Sequence, residues 1–159
     1  MISGCPTAIS PAEVDLLQQY ARGKRVLEMG ALLGYSTIKL AEVASHVVSI
    51  DMHEGYRGKT YWRYMSNLER AGIRHKVTPV LGDAIALTPM FDCHEFYFID
   101  LTGIWKDTRD AIKAIPACPA LIGIHDFGRQ NCTGVELAVS SLRCTIIDKA
   151  ETLVIAVKW

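Results

Sequence analysis

Arg25-Val26-Leu27-Glu28-Met29-Gly30-Ala31-Leu32-Leu33-Gly34-Tyr35-Ser36-Thr37 is the stretch that decides the fold. An apolar run ends in an acid, passes through two spaced glycines and enters a helical pattern. A parallel strand leading into a crossover helix has this form, with its carboxyl end turned toward a ligand crevice. Gly30 lets the chain turn tightly and brings backbone N–H groups close to a ligand. Gly34 lets the helix sit close to the strand, and Glu28 is expected to put a carboxylate at the crevice. The spacing is neither G-x-G-x-x-G nor a loop ending in G-K-[ST]. An acid here would repel a pyrophosphate, so a ligand carrying positive charge fits better.

Upstream, Ser10-Pro11-Ala12-Glu13 is a capping box with proline at the first helical position. The helix it opens carries Val14, Leu17 and Ala21 on one face and ends at Gly23. Downstream, strands are expected over Arg25–Met29, His46–Ile50, Lys76–Leu81, Glu95–Ile99 and Ala120–Ile124. Helices are expected over Tyr35–Ala44, Tyr61–Ala71, Asp107–Ile115 and Gly134–Leu142. Cys144–Ile147 and Leu153–Val157 read as a hairpin around a turn at Asp148-Lys149-Ala150. Alternating strands and helices imply right-handed βαβ units and a mostly parallel sheet. The expected fold class is therefore α/β: a Rossmann-like, doubly wound sheet of seven strands, mostly parallel, with a C-terminal antiparallel hairpin. Residues 1–159 read as one domain, without repeats.

At 159 residues, 50% apolar and 21% charged, the composition is that of a globular domain. The formal net charge of +0 gives no electrostatic case for nucleic acid as the main partner. A neutral chain resists self-association poorly, which leaves a homo-oligomer open. No apolar run reaches the roughly 18 residues of a membrane span. Met1-Ile2-Ser3-Gly4-Cys5-Pro6 lacks a basic segment and an apolar signal core, so a cytoplasmic protein is expected. Cys5, Cys93, Cys118, Cys132 and Cys144 form no C-x-x-C pair, and free, mostly buried thiols are expected.

Glu28-Met29-Gly30 followed by Gly34-Tyr35-Ser36-Thr37 resembles motif I of the class I S-adenosylmethionine-dependent methyltransferases. The likeness is closest to the small-molecule O-methyltransferase branch of the catechol and caffeoyl-CoA type. It extends through Asp51, Gly82-Asp83-Ala84 and Phe96-Tyr97-Phe98-Ile99-Asp100, over nearly the whole chain. The resemblance implies S-adenosylmethionine as cofactor, held by Glu28, Gly30, Gly34, Tyr35, Ser36, Asp51, Met52, Asp83, Ala84 and Asp100. In it, Glu28 lies near the amino group and Ser36 meets the carboxylate of the methionine portion. Asp51 accepts the ribose hydroxyls, a role an acid at a strand end can fill in its own right. Asp83 lies near the adenine amino group, or caps a short helix through Leu87. The chain is shorter than most members of that branch, and an open acceptor site, or one completed by a second subunit, is expected.

Asp100 ends the fourth strand and His125-Asp126 the fifth, and adjacent parallel strands turn their carboxyl ends to one crevice. His125, Asp126, Asp100 and Lys106 are the catalytic candidates. His125 is the best general base by its unperturbed pKa. Lys106, in Trp105-Lys106-Asp107, resembles the lysine of a W-K-D run, though further from Asp100. In the resembling branch two acids and an asparagine bind a divalent metal such as Mg²⁺. Asp100 and Asp126 match the acids, Phe127 stands where the asparagine would be, and His125 or Asn131 is the substitute ligand, a histidine shifting the preference toward a transition metal. The glycine-containing loop His53–Arg63 mixes cations with aromatics and follows the ribose acid. The reaction expected is methyl transfer to a small molecule, at a hydroxyl. The alternatives are transfer to nitrogen or a macromolecule, a cofactor-binding protein without transferase activity, and a nicotinamide oxidoreductase, against which Glu28 counts.

Overall fold

The computed structural model describes residues 9–54, 59–142 and 144–158. Cys5 and residues 55–58 of the glycine-containing loop lie outside them. In chain order the elements are α1 (Pro11–Ala21), β1 (Arg25–Met29), α2 (Tyr35–Val43), β2 (His46–Asp51), α3 (Tyr61–Arg70), β3 (Val77–Leu81) and α4 (Ala84–Leu87). They continue with β4 (Phe96–Ile99), α5 (Trp105–Ala114), β5 (Ala120–Ile124), α6 (Thr133–Ser141), β6 (Cys144–Ala150) and β7 (Leu153–Lys158). The seven strands form one sheet in the order β3-β2-β1-β4-β5-β7-β6. The pairs from β3 to β5 are parallel, and β7 runs antiparallel to both β5 and β6. The order reverses between β1 and β4, which is where a doubly wound sheet opens a crevice.

Strand residues alternate between two apolar layers, as the pleat requires. Val26, Val47, Phe96 and Phe98 pack with α1, α2 and α3 on one face. Leu27, Val48, Tyr97 and Ile122 pack with α5 and α6 on the other. Glu28 and Ser49 are register partners on β1 and β2, so their side chains share a face. The Ser10–Glu13 capping box forms in both directions and starts α1 as expected.

Gly30 has φ +94°, and a Cβ there would meet the carbonyl of Asp100. Its N–H bonds the Ile50 carbonyl while the Asp100 N–H bonds the Met29 carbonyl, so β1, β2 and β4 end together beneath the turn. Gly34, at φ +89°, gives the Tyr64 ring room to pack against the start of α2.

Two expectations are corrected. Asp148-Lys149-Ala150 is not a turn: β6 runs to Ala150, because a register shift between Ile146 and Asp148 lets pairing resume. The Tyr20 hydroxyl anchors Asp148 at 2.9 Å, and the chain reverses instead at Glu151-Thr152. Cys93 and Cys118 are not free thiols but a disulfide with Cα atoms 6.3 Å apart. They sit in the loops feeding the adjacent strands β4 and β5, a proximity that only the sheet order creates. Cys132 and Cys144 are free and partly buried. Among the described residues no helix is long and apolar enough to cross a membrane.

Gly30→Ala should cost roughly 3 kcal/mol, as left-handed strain adds to a collision with backbone that cannot yield. Gly23→Ala, also left-handed but with open space around it, should cost only about 1–2 kcal/mol. Denaturant titration of the two variants checks the difference.

Candidate functional site

Glu28 is fully buried. Its carboxylate accepts hydrogen bonds from the hydroxyls of Ser36 at 2.6 Å, Thr37 at 2.5 Å and Ser49 at 2.6 Å. Burial raises its pKa, the three hydroxyls lower it and the charge of Asp100 raises it again, to about 7. The expected carboxylate at the crevice is therefore corrected: Glu28 lies one layer behind it, and Ser36 stands in front. With its proton given to Glu28, the Ser36 oxygen faces outward as an acceptor. The N-cap of α2 is Gly34, which offers no side chain to the first amides of the helix. Those N–H groups remain for a ligand anion.

Asp51 closes β2 and folds the turn after β1. One oxygen accepts the Ala31 and Leu32 N–H groups at 2.7 and 2.8 Å, and the other accepts the His53 N–H at 2.6 Å. A carboxylate has about four lone-pair sites, so roughly one is left toward the cleft. Asp83 caps α4 through the Ile85 N–H at 2.9 Å, and it also faces the cleft.

A cleft of about 600 Å³ opens over the carboxyl ends of β3, β2, β1 and β4, within the size range of ligand pockets. Gly30, Tyr35, Ser36, Asp51, Met52, Asp83, Ala84 and Asp100 all line it. Glu28 and Gly34 do not; both shape its wall from behind. Lys106 also lines it, in the first turn of α5, with Nζ held 3.4 Å from Asp110. Trp105 lies beneath the Arg109 guanidinium, 4.3 Å from the ring centroid.

His125 and Asp126 do not line the cleft. The His125 side chain is buried, with Nδ1 3.2 Å from Asp100 and 3.5 Å from Asp126. Its Nε2 lies 3.5 Å from Glu13, an ion-pair distance without hydrogen-bond geometry. Burial pulls the pKa of His125 down, but the hydrogen bond and charge of Asp100 and the charges of Asp126 and Glu13 outweigh it and lift it to about 9. The carboxylates around the ring thus favour its protonated form, which bears against a general-base role.

The donor atoms of Asp100, His125 and Asp126 lie within 4.8 Å of one another, close enough for a metal ion. Their chemistry does not fit Mg²⁺, which demands oxygen ligands. One donor is the His125 nitrogen, which turns the preference toward a transition metal. The Asp126 oxygen that faces His125 already accepts from Arg129 at 2.7 Å. Phe127 packs into the core under Lys149 and offers no ligand atom. Asp100 and Asp126, with His125, are the residues that would hold a metal ion here.

No protein-family model and no curated protein matches the sequence. Solved structures do match. The O-methyltransferase TomG of Streptomyces achromogenes, involved in tomaymycin synthesis and solved with S-adenosylmethionine, superposes with a TM-score of 0.69 at 23% identity, over 96% of this chain and 82% of that one. The O-methyltransferase of Bacillus cereus, solved with S-adenosylhomocysteine, gives 0.74 at 22% identity, over 95% and 82%. The chain has the Rossmann-like methyltransferase fold. Precorrin-8w decarboxylase of Methanobacterium thermoautotrophicum also matches, with a TM-score of 0.68 at 15% identity over 96% and 91%. The methyltransferase fold thus carries more than one kind of chemistry, and the reaction has to be argued from the site.

Sequence reasoning missed Glu54, Ile85, Leu101, Thr102, Asp107 and Asp110, which also line the cleft. It read Glu13 only as a cap, because nothing in the capping box tells that α1 starts beside β5. The cue available for Thr102 was its place just after a strand-end acid.

His125 should hold its proton well above neutrality. Because its folded pKa exceeds the unfolded one, its contribution is full below pH 6.5 and is lost as pH rises through about 9. The loss is on the order of 3 kcal/mol. Unfolding measured across that window should show the decline in wild type, and His125→Gln should abolish it.

Proposed function

We propose that this chain transfers a methyl group from S-adenosylmethionine to a hydroxyl of a small-molecule acceptor. The observation that carries the reading is the order of groups along one edge of the sheet. Asp83 follows β3, Asp51 ends β2, Gly30 follows β1 with the α2 amides behind it, and Asp100 follows β4. An adenosine laid over β3 and β2 would meet Asp83 at its amine and Asp51 at its ribose. The amino-acid end would then give its carboxylate to the α2 amides and its ammonium to Ser36 Oγ and Asp100. The sulfonium methyl would point toward the β4–β5 end, beside Asp100.

The chemistry is an in-line displacement. A lone pair of the acceptor oxygen forms the new bond to the methyl carbon. The carbon–sulfur pair returns to sulfur, and the sulfonium becomes a neutral thioether. The donor is already activated, so the protein supplies alignment and a proton acceptor. Asp100 and Lys106, which line the cleft at that end, are the groups placed for that proton. A small-molecule acceptor and a cytoplasmic place are part of this proposal. The Cys93–Cys118 bond is the feature that bears against a reducing compartment.

Calorimetric titration tests the reading. S-adenosylmethionine and S-adenosylhomocysteine should bind while NAD does not. Asp83→Ala should weaken S-adenosylhomocysteine about tenfold, one hydrogen bond's worth. Failure of both sulfur ligands to bind would overturn it.

A further inference from the structure

The disulfide closes one strand–helix unit into a covalent ring. Cys93 lies in the loop that feeds β4, and Cys118 in the loop that leads from α5 into β5. The ring therefore holds all of β4, the turn after it and all of α5, and no other strand. Asp100, Leu101, Thr102, Lys106, Asp107 and Asp110 lie within it, and each lines the cleft. The rest of the lining, from the β1–α2 turn, the end of β2 and the start of α4, lies outside the ring.

The bond sits at the amino ends of β4 and β5, across the sheet from the cleft. Cys93 is exposed and Cys118 half-buried, so a thiolate from solution can reach the bond. Exposed disulfides are the labile ones, and buried structural ones resist reduction. Other ties hold the unit in place without the bond. The Arg25 N–H donates to Glu95 Oε2 at 3.0 Å and the Glu95 N–H to the Arg25 carbonyl at 3.1 Å, which fixes the start of β4 to β1. Lys158 Nζ donates to the carbonyls of Ile112 and Ile115 at 3.1 and 2.8 Å, which caps the end of α5. The disulfide adds a tether between residues 25 apart in sequence, and a tether of this kind opposes opening of the segment it encloses.

We infer that Cys93–Cys118 is a thiol–disulfide switch for the β4–α5 wall of the cleft: closed, it holds that wall, and open, it lets the wall unfold locally more often while the β1–β3 side keeps its order. The redox partner is a small thiol and its disulfide, of the glutathione class. A thiolate attacks Sγ of Cys93, the bond to Cys118 breaks, and Cys118 leaves as a thiolate and takes up a proton. A second thiolate attacks the mixed disulfide and releases Cys93. Two partner thiols thus become one disulfide, and their two electrons reduce the bond in the chain. The inference concerns the wall rather than the reaction, so it stands apart from the methyl-transfer reading.

The test equilibrates the full chain with excess reduced or excess oxidised glutathione, then alkylates free thiols and locates them by mass. Reduced glutathione should free both Cys93 and Cys118 with the circular dichroism spectrum of the folded chain retained, and oxidised glutathione should join them again. Opening the bond should lower the thermal midpoint by on the order of 10 °C. Amide hydrogen exchange should quicken at least tenfold more in α5 than in α2. Cys93→Ser combined with Cys118→Ser should behave as the reduced chain in both buffers, which separates this bond from Cys132 and Cys144. If that variant fails to fold, the wild-type comparison decides alone. A bond that stays closed in excess reduced glutathione would overturn the inference. So would cysteines that stay unjoined in the oxidised form, or exchange in α5 that rises no more than in α2.

Discussion

A carboxylate buried without water must be given its hydrogen bonds by the chain, and Glu28 receives three of them from two neighbouring elements. Ser36 and Thr37 come from the first turn of α2, and Ser49 comes across the sheet from β2. Satisfying Glu28 therefore fixes how α2 leaves β1 and how β2 lies beside it. The turn between them must then be tight, which is why Gly30 lies against the Asp100 carbonyl. Asp51 completes the constraint by taking the Ala31 and Leu32 amides. What faces the cleft is the outer side of this assembly: free amides at the start of α2, the Ser36 oxygen and the remaining face of Asp51.

The second ionic cluster answers the same problem in the opposite way. Glu28 is neutralised by hydroxyl donors, and its pKa rises toward 7 because they do not fully offset burial. Glu13, Asp100 and Asp126 are neutralised by charge, and the cost moves onto His125, whose pKa rises to about 9. Both clusters join a helix to strand ends, Glu28 on β1 and His125 after β5, and the cleft runs over the first and meets the second at Asp100.

Much of this was legible in the sequence because it depends on local order. The β1–α2 turn, the strand-end acids Asp51 and Asp100 and the Gly82-Asp83-Ala84 step follow from spacing, and the sheet brings them to one edge. Side-chain environment was not legible. The letters of Glu28 announce a carboxylate, but its burial depends on Ser49 being its register partner across the sheet. His125 reads as a base by its intrinsic pKa, and the carboxylates that the fold gathers around it, Asp100 first, favour the protonated ring instead. The Cys93–Cys118 bond needed the β4–β5 adjacency, and the end of β6 needed the bulge at Ile147 and the Tyr20 anchor on Asp148.

The central claim is that the turn built on Glu28 delivers the start of α2 to a cleft shaped for an S-adenosyl amino acid. The most direct measurement is an amide ¹H–¹⁵N NMR titration with S-adenosylhomocysteine. The account predicts that the largest shifts fall on Gly30, Tyr35, Ser36 and Ala84, together, at one saturating site. Shifts that avoid these four amides, or a spectrum the ligand leaves unchanged, would contradict it.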